Sequence, residues 1–134
     1  MPRQLCQGNR KWTFVGSELV EEDIVTGKRS STPIGHPHYE SLQKLTIRDV
    51  EWTPDHDAIL VLLDVSHGYR TVGNIACVEI CGDIRWWVES LDTGWDSFTE
   101  MSVTEKGIIA FAGDGWNCQV DPKDGRIVSK VFVK

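Results

Sequence analysis

The hydrophobic and polar positions of this chain fall into a pattern that reads twice. Residues 50–65, VEWTPDHDAILVLLDV, and residues 98–116, FTEMSVTEKGIIAFAGDGW, each hold a short alternating run, a tight polar turn and a second apolar run. Such a pattern predicts a strand, a reverse turn and a strand. In both copies further strands follow, broken by a turn that joins Gly with Asp: CGDI at 81–84 and DPKDGRI at 121–127. The turns before the second strand, near His56 and Lys106, lie 50 residues apart. That spacing is expected of repeated four-stranded sheet units.

The rest of the chain is read the same way. Residues 10–15 (RKWTFV) form a first strand, with Trp12 and Phe14 on one face by the period of two. The following SELVEEDIVTGK alternates loosely and ends in the turn Thr26-Gly27-Lys28. Residues 29–40 (RSSTPIGHPHYE), with two prolines and little periodicity, read as the longest loop. Leu45, Ile47, Val50 and Trp52 do not keep one parity, so a bulge near Arg48-Asp49 is expected. Residues 58–65 are almost continuously apolar, as a central strand covered on both faces would be. A hairpin joins 72–80 to 84–88 about Cys81-Gly82-Asp83, 90–96 is a loop, and 107–112, 116–120 and 126–133 complete the strands. Helical periodicity is weak and confined to 37–44. The expectation is one all-β domain over 1–134, of antiparallel blade-like sheets with roughly ten strands.

The segment VEWTPDHDAILVLLD resembles the first two strands of a β-propeller blade of the WD-repeat or quinoprotein-like kind. GIIAFAGDGWNCQVDPKDGRIV is similar to the second to fourth strands of such a blade. The early WTFVGSELVEEDIVTGK resembles the last half of one, with Asp23 and Thr26-Gly27-Lys28 in matching positions. The resemblance implies two units and a fragment. Propellers need at least four blades to close, so the sheets are expected to pack as a sandwich or an open partial propeller, or to associate with a second copy as a homodimer.

Charge narrows the partners. The formal net charge is −6, and residues 1–50 hold seven Lys/Arg against six Asp/Glu, so the acidity lies in the remainder. Such a balance repels nucleic-acid phosphates and favours a basic protein. No run of ~18 apolar residues predicts a membrane span. The opening MPRQLCQGNRKWTF lacks the apolar core of a secretory signal, so a cytoplasmic, reducing location is expected for the four cysteines. Cys77 and Cys81 are four apart, roughly 13 Å on a straight strand, against the ~7 Å that a disulfide allows.

Candidate chemistry is sparse. His36-Pro37-His38 is the strongest metal-like cluster, but its spacing fits no standard zinc signature, and no metal or cofactor is expected. No Gly-x-Ser-x-Gly elbow is present, and Cys77 and Cys118 sit in apolar strands that keep a thiol protonated, so an enzyme is not expected. The six tryptophans are more informative. Trp86 and Trp87 are consecutive, so one must turn from the face that the other occupies. Trp95 stands between Asp92 and Asp96, the composition of a protein-binding hot spot. The expected function is a non-catalytic protein-binding module using Trp87, Asp92, Trp95, Asp96 and Glu100. Its foremost candidate role is an immunity protein that occludes a basic toxin, such as a nuclease. The alternatives are a self-assembling β module and a small ligand or metal-binding domain.

Overall fold

Within each sheet the described strands pair in sequence order, and the result is three four-stranded antiparallel sheets. The computed structural model describes residues 4–34, 46–64, 73–89, 98–105, 107–113 and 115–133. The first sheet holds β1 (Leu5–Gln7), β2 (Arg10–Val15), β3 (Glu18–Asp23) and β4 (Arg29–Pro33), in that order. The second holds β5 (Ile47–Trp52), β6 (Ala58–Leu63), β7 (Ile75–Glu79) and β8 (Ile84–Trp87). The third holds β9 (Phe98–Thr104), β10 (Gly107–Ala112), β11 (Trp116–Val120) and β12 (Ile127–Phe132). Tight turns dictate most of this meander, because a connection of two to six residues, as between β1 and β2 or β7 and β8, leaves too little chain for anything but an adjacent antiparallel strand.

The all-β, blade-like reading holds, and the first unit is complete rather than a fragment. Twelve strands are described where the pattern suggests roughly ten. The two added strands have physical reasons to be quiet in sequence. β1 is three residues long, too short for a period, and β4 is RSSTP, a polar edge strand with proline at its end. Residues 29–33 are therefore strand and not loop. The bulge expected near Arg48-Asp49 is present, with the β5–β6 register shifting between Ile47 and Asp49.

The second sheet is covered on both faces. All six residues of β6 are buried, and alternate ones serve different cores. Ile59, Val61 and Leu63 join Leu5, Trp12, Leu19, Val50 and Trp52 in the layer shared with the first sheet. Leu60 and Leu62 join Ile75, Cys77, Trp86, Phe98, Ile108 and Ala110 in the layer shared with the third. Each such aliphatic side chain contributes about 1.5–3 kcal/mol by leaving water. In the first layer Trp12 and Trp52 meet edge to face, with centroids 5.3 Å apart and planes at 82°. That geometry is favoured by the ring quadrupoles and adds about 0.5–1.5 kcal/mol.

Polar links fix the joints between sheets. At the first joint the Ile47 N–H donates to the Gly16 carbonyl at 2.7 Å, tying the β2–β3 turn to the start of β5. At the second, Asn74 does the corresponding work with its side chain. Its Nδ2 donates to Leu63 O at 2.7 Å and Phe98 O at 2.8 Å, while its Oδ1 accepts from Phe98 N at 2.9 Å. Asn74 is only 1% exposed, so these bonds replace water completely. Farther out, the β11–β12 turn seats on β8. Trp86 Nε1 donates to Pro122 O at 2.9 Å, Glu89 N to Gly125 O at 2.9 Å, and Ile127 N to Glu89 Oε1 at 3.1 Å. Gly125 has φ +79°, and a Cβ there would lie 2.5 Å from the Trp86 ring, so both conformation and space demand glycine.

Two stability outcomes follow from these joints. Asn74→Ala strands buried groups of Phe98 and Leu63 and is expected to cost about 3 kcal/mol in urea denaturation, with Asn74→Asp at least as damaging. Gly125→Ala is expected to lower the denaturation midpoint further than Gly27→Ala, whose φ of +76° is similar but whose Cβ would meet nothing within 4 Å among the described residues.

Candidate protein-binding surface

The first strands of the three sheets, β1, β5 and β9, lie together where the sheets converge. The bulge shapes this edge: Ile47 pairs with Leu63 and Asp49 with Leu62, so Arg48 is the extra residue. A bulge bends the strand and re-aims its side chains. Arg48 and Asp49 thereby line a groove of about 340 Å³ with Leu62 of β6 and Thr99, Glu100 and Met101 of β9. Leu62 and Met101 are buried and give it an apolar floor, whereas Glu100 at the rim is exposed. Asp49 and Glu51 pair with Leu62 and Leu60, so both project toward the third sheet and add negative charge beside the groove. Arg48 Nη1 lies 4.0 Å from Asp64 Oδ1, with both side chains more than half exposed. An ion pair so long and so wet contributes ~0–1 kcal/mol and leaves the rim predominantly acidic. An apolar floor within an acidic rim suits a basic protein surface with an aliphatic or aromatic anchor.

At the other end of β5 the turn to β6 carries a second ionisable cluster. Thr53, 2% exposed, donates through Oγ1 to Asp57 Oδ1 at 2.8 Å and accepts from the N–H groups of Asp57 and Ala58, both at 3.2 Å. Arg85 of β8 spans the carboxylates of Asp57 at 3.3 Å and Glu79 at 3.4 Å. The Thr53 hydroxyl bond, aided by the Arg85 charge and opposed by partial burial, holds the Asp57 carboxyl below its ordinary 3.8. Nearby, burial pushes the Cys77 thiol up to about 11, so it stays protonated at neutral pH. His56 occupies the left-handed region of the turn at φ 58°, with its ring 5.9 Å from that of Trp52. This cluster locks a turn: its hydroxyl, carboxylates and guanidinium are directed at one another.

The sequence-derived site residues are not all gathered in one patch. Glu100 lies on β9 at the groove, and by its pairing with Phe111 it is on the face turned away from the second sheet. Trp87 lies on β8, the opposite edge of the second sheet from β5, about 14 Å away at the usual strand spacing. It is half-buried against the core shared with the first sheet. Trp86 and Trp87 do face opposite ways, and because the second sheet is covered on both sides, each meets a core. Asp92, Trp95 and Asp96 lie outside the described residues, as do His36, His38, His67 and the weak helical segment 37–44. Among the described residues no group of three or more His, Cys, Asp or Glu is arranged to hold a metal, and no helix is long and apolar enough to cross a membrane. Arg48 and Asp49 were legible as a bulge, but nothing local marked them as neighbours of β9.

No family model and no curated protein matches the chain. Its likeness is to solved structures, at the level of fold. The computationally designed proteins Ika8 and Ika4 each superpose with a TM-score of 0.68 at 13% identity over 98% of this chain, spanning 36% and 71% of their own lengths. The β-propeller domain of Cps50 (Swd1) from Myceliophteria thermophila superposes with a TM-score of 0.61 at 17% identity, over 93% of this chain and 41% of its own. The chain thus spans about a third of the length of the first of these neighbours. The architecture is that of propeller blades, three in a row.

The turn cluster has a definite acid response. Because the folded pKa of Asp57 is depressed, its contribution to stability is present above 3.8 and is lost as the pH falls through the folded value. Asp57→Asn is therefore expected to flatten the loss of stability below that pH relative to the parent protein, measured by thermal melts. Thr53→Ala, which leaves two backbone N–H groups without their acceptor, is expected to cost about 2 kcal/mol, with Thr53→Ser recovering most of it.

Proposed function

We propose that this chain is a protein-binding module, and that it acts as an immunity protein: an antidote that covers the positively charged substrate groove of a basic toxin, such as a nuclease. The observation that carries the reading is the acidic rim around an apolar floor between β5 and β9, in a chain of net charge −6. A toxin that holds nucleic-acid phosphates must present clustered Lys and Arg, and an acidic surface competes for those same side chains. Asp49 and Glu100 supply the charge at the groove. Asp92 and Asp96, with Trp95 as the aromatic anchor, are proposed as further contacts from the sequence alone, since they lie outside the described residues. Rigid sheets suit the task, since a preorganised surface loses little entropy on binding. Fold alone does not assign this role, and the reading rests on the charge and shape of the groove.

The test is association with a basic toxin domain encoded beside this protein. The two are expected to co-purify, with an association rate that falls steeply as salt rises. Glu100→Lys combined with Asp92→Lys and Asp96→Lys is expected to slow association at least tenfold while leaving the thermal midpoint unchanged. Absence of a complex, or a rate indifferent to both salt and these charges, would overturn the proposal.

A further inference from the structure

The two joints inside the chain are built from the same two clamps. In one, the turn between the second and third strands of a sheet hydrogen-bonds the first strand of the next sheet: Gly16 O to Ile47 N, and Asn74 to Phe98. In the other, the turn between the third and fourth strands of a sheet lies on the fourth strand of the sheet before it. At the first joint a Cβ on Gly82 would sit 3.4 Å from Thr32 of β4; at the second, one on Gly125 would press into Trp86 of β8. Among the described residues, the turn at 23–28 and the strand β12 are counterparts of the second clamp that pack on no neighbouring sheet.

The unmated half on the first sheet is a close copy of the mated one on the third. In the turn at 23–28, Asp23 N donates to Lys28 O at 2.8 Å, Gly27 N to Asp23 O at 2.8 Å and Val25 N to Asp23 Oδ1 at 2.9 Å. In the turn at 121–126, Asp121 N donates to Arg126 O at 2.8 Å, Gly125 N to Asp121 O at 2.9 Å and Lys123 N to Asp121 Oδ1 at 2.8 Å. Yet Gly125 is packed on a preceding strand, whereas Ile24 and Val25 of the first turn are 56% and 74% exposed. Exposed apolar side chains are concentrated accordingly. Of the eight large ones among the described residues, Val15, Ile24 and Val25 are on the first sheet, and four more lie on β12 and the residue after it. Only Ile84 lies elsewhere.

We infer that these two ends are mating surfaces for each other, and that the occupant of each is a second copy of this chain. β12 of one copy receives the turn at 23–28 of the other, and the same contact repeats around a two-fold axis. Two copies then give six sheets, above the four that a closed ring of blades requires. The end faces carry polar groups: Lys11, Thr13 and Glu22 at one end, Ser102, Asn117 and Gln119 at the other. Faces that meet water in the free protein must be partly polar, and an interface of this mixed kind is that of a reversible complex rather than of a core. The inference does not depend on the toxin-binding reading, although Glu100 lies both at that groove and on the end face of the third sheet.

Sedimentation of the 134-residue chain without any other protein tests it. The expected result is a concentration-dependent shift in the micromolar range from 15.1 kDa to twice that mass. Val25→Glu and Val131→Glu each place a charge on a side chain already more than half exposed, so the monomer should keep its circular dichroism and melting temperature. Each is expected to weaken self-association at least tenfold. A chain that stays at 15.1 kDa throughout would overturn the inference. So would a dimer indifferent to both substitutions, or an assembly of any other size. Toxin co-purification reports separately on the proposed function.

Discussion

The rest of the structure depends on burying both faces of the second sheet. An apolar β-sheet in water is a liability on each side, and this sheet has six consecutive buried residues in β6 with no polar face to offer. One neighbour sheet cannot satisfy it, so the chain places one on either side. The alternation of β6 divides the work: odd-numbered positions from Ile59 to Leu63 bind it to the first sheet, and Leu60 and Leu62 bind it to the third. The outer sheets then differ in kind from the central one, each with an apolar inner face and a mixed outer face.

That division explains where specificity resides. Hydrophobic burial is strong but indifferent to small slips, whereas hydrogen bonds from buried groups tolerate little error. Asn74 illustrates the point, because three bonds to Leu63 and Phe98 hold β9 in one position against the end of β6. The seat of Gly125 on Trp86 does the same at the outer edge. With the third sheet held at both edges, the groove between β5 and β9 acquires a fixed width. A surface meant to meet another macromolecule gains from such rigidity, since little motion has to be frozen on contact.

The candidate site lies at an irregularity in the ladder. The bulge at Arg48 interrupts pairing on the edge strand β5, which both discourages strand addition there and turns charged side chains outward. The groove is therefore shaped by a local defect in one sheet and closed by the first strand of the next. The Thr53–Asp57–Arg85 cluster at the far end of β5 is a contrasting use of charge, spent on holding a turn and its neighbouring strand in register.

Sequence alone determined the strands of the second and third sheets, their turns, the bulge near Arg48 and the doubly covered character of β6. These features are local: alternation, turn composition and apolar continuity are written within a few residues of where they act. The first sheet was only half legible, because a three-residue β1 and a polar β4 carry no periodic signal and exist through pairing with β2 and β3. Tertiary structure alone decided that both Trp86 and Trp87 meet cores, that Asn74 is a joint, and that Trp87 and Glu100 stand at opposite edges of adjacent sheets. It also decided that Arg48 and Asp49 share a groove with residues some fifty positions later. Each of these facts is a contact between distant segments, and its free energy comes from docking whole sheets, which no short window of sequence contains.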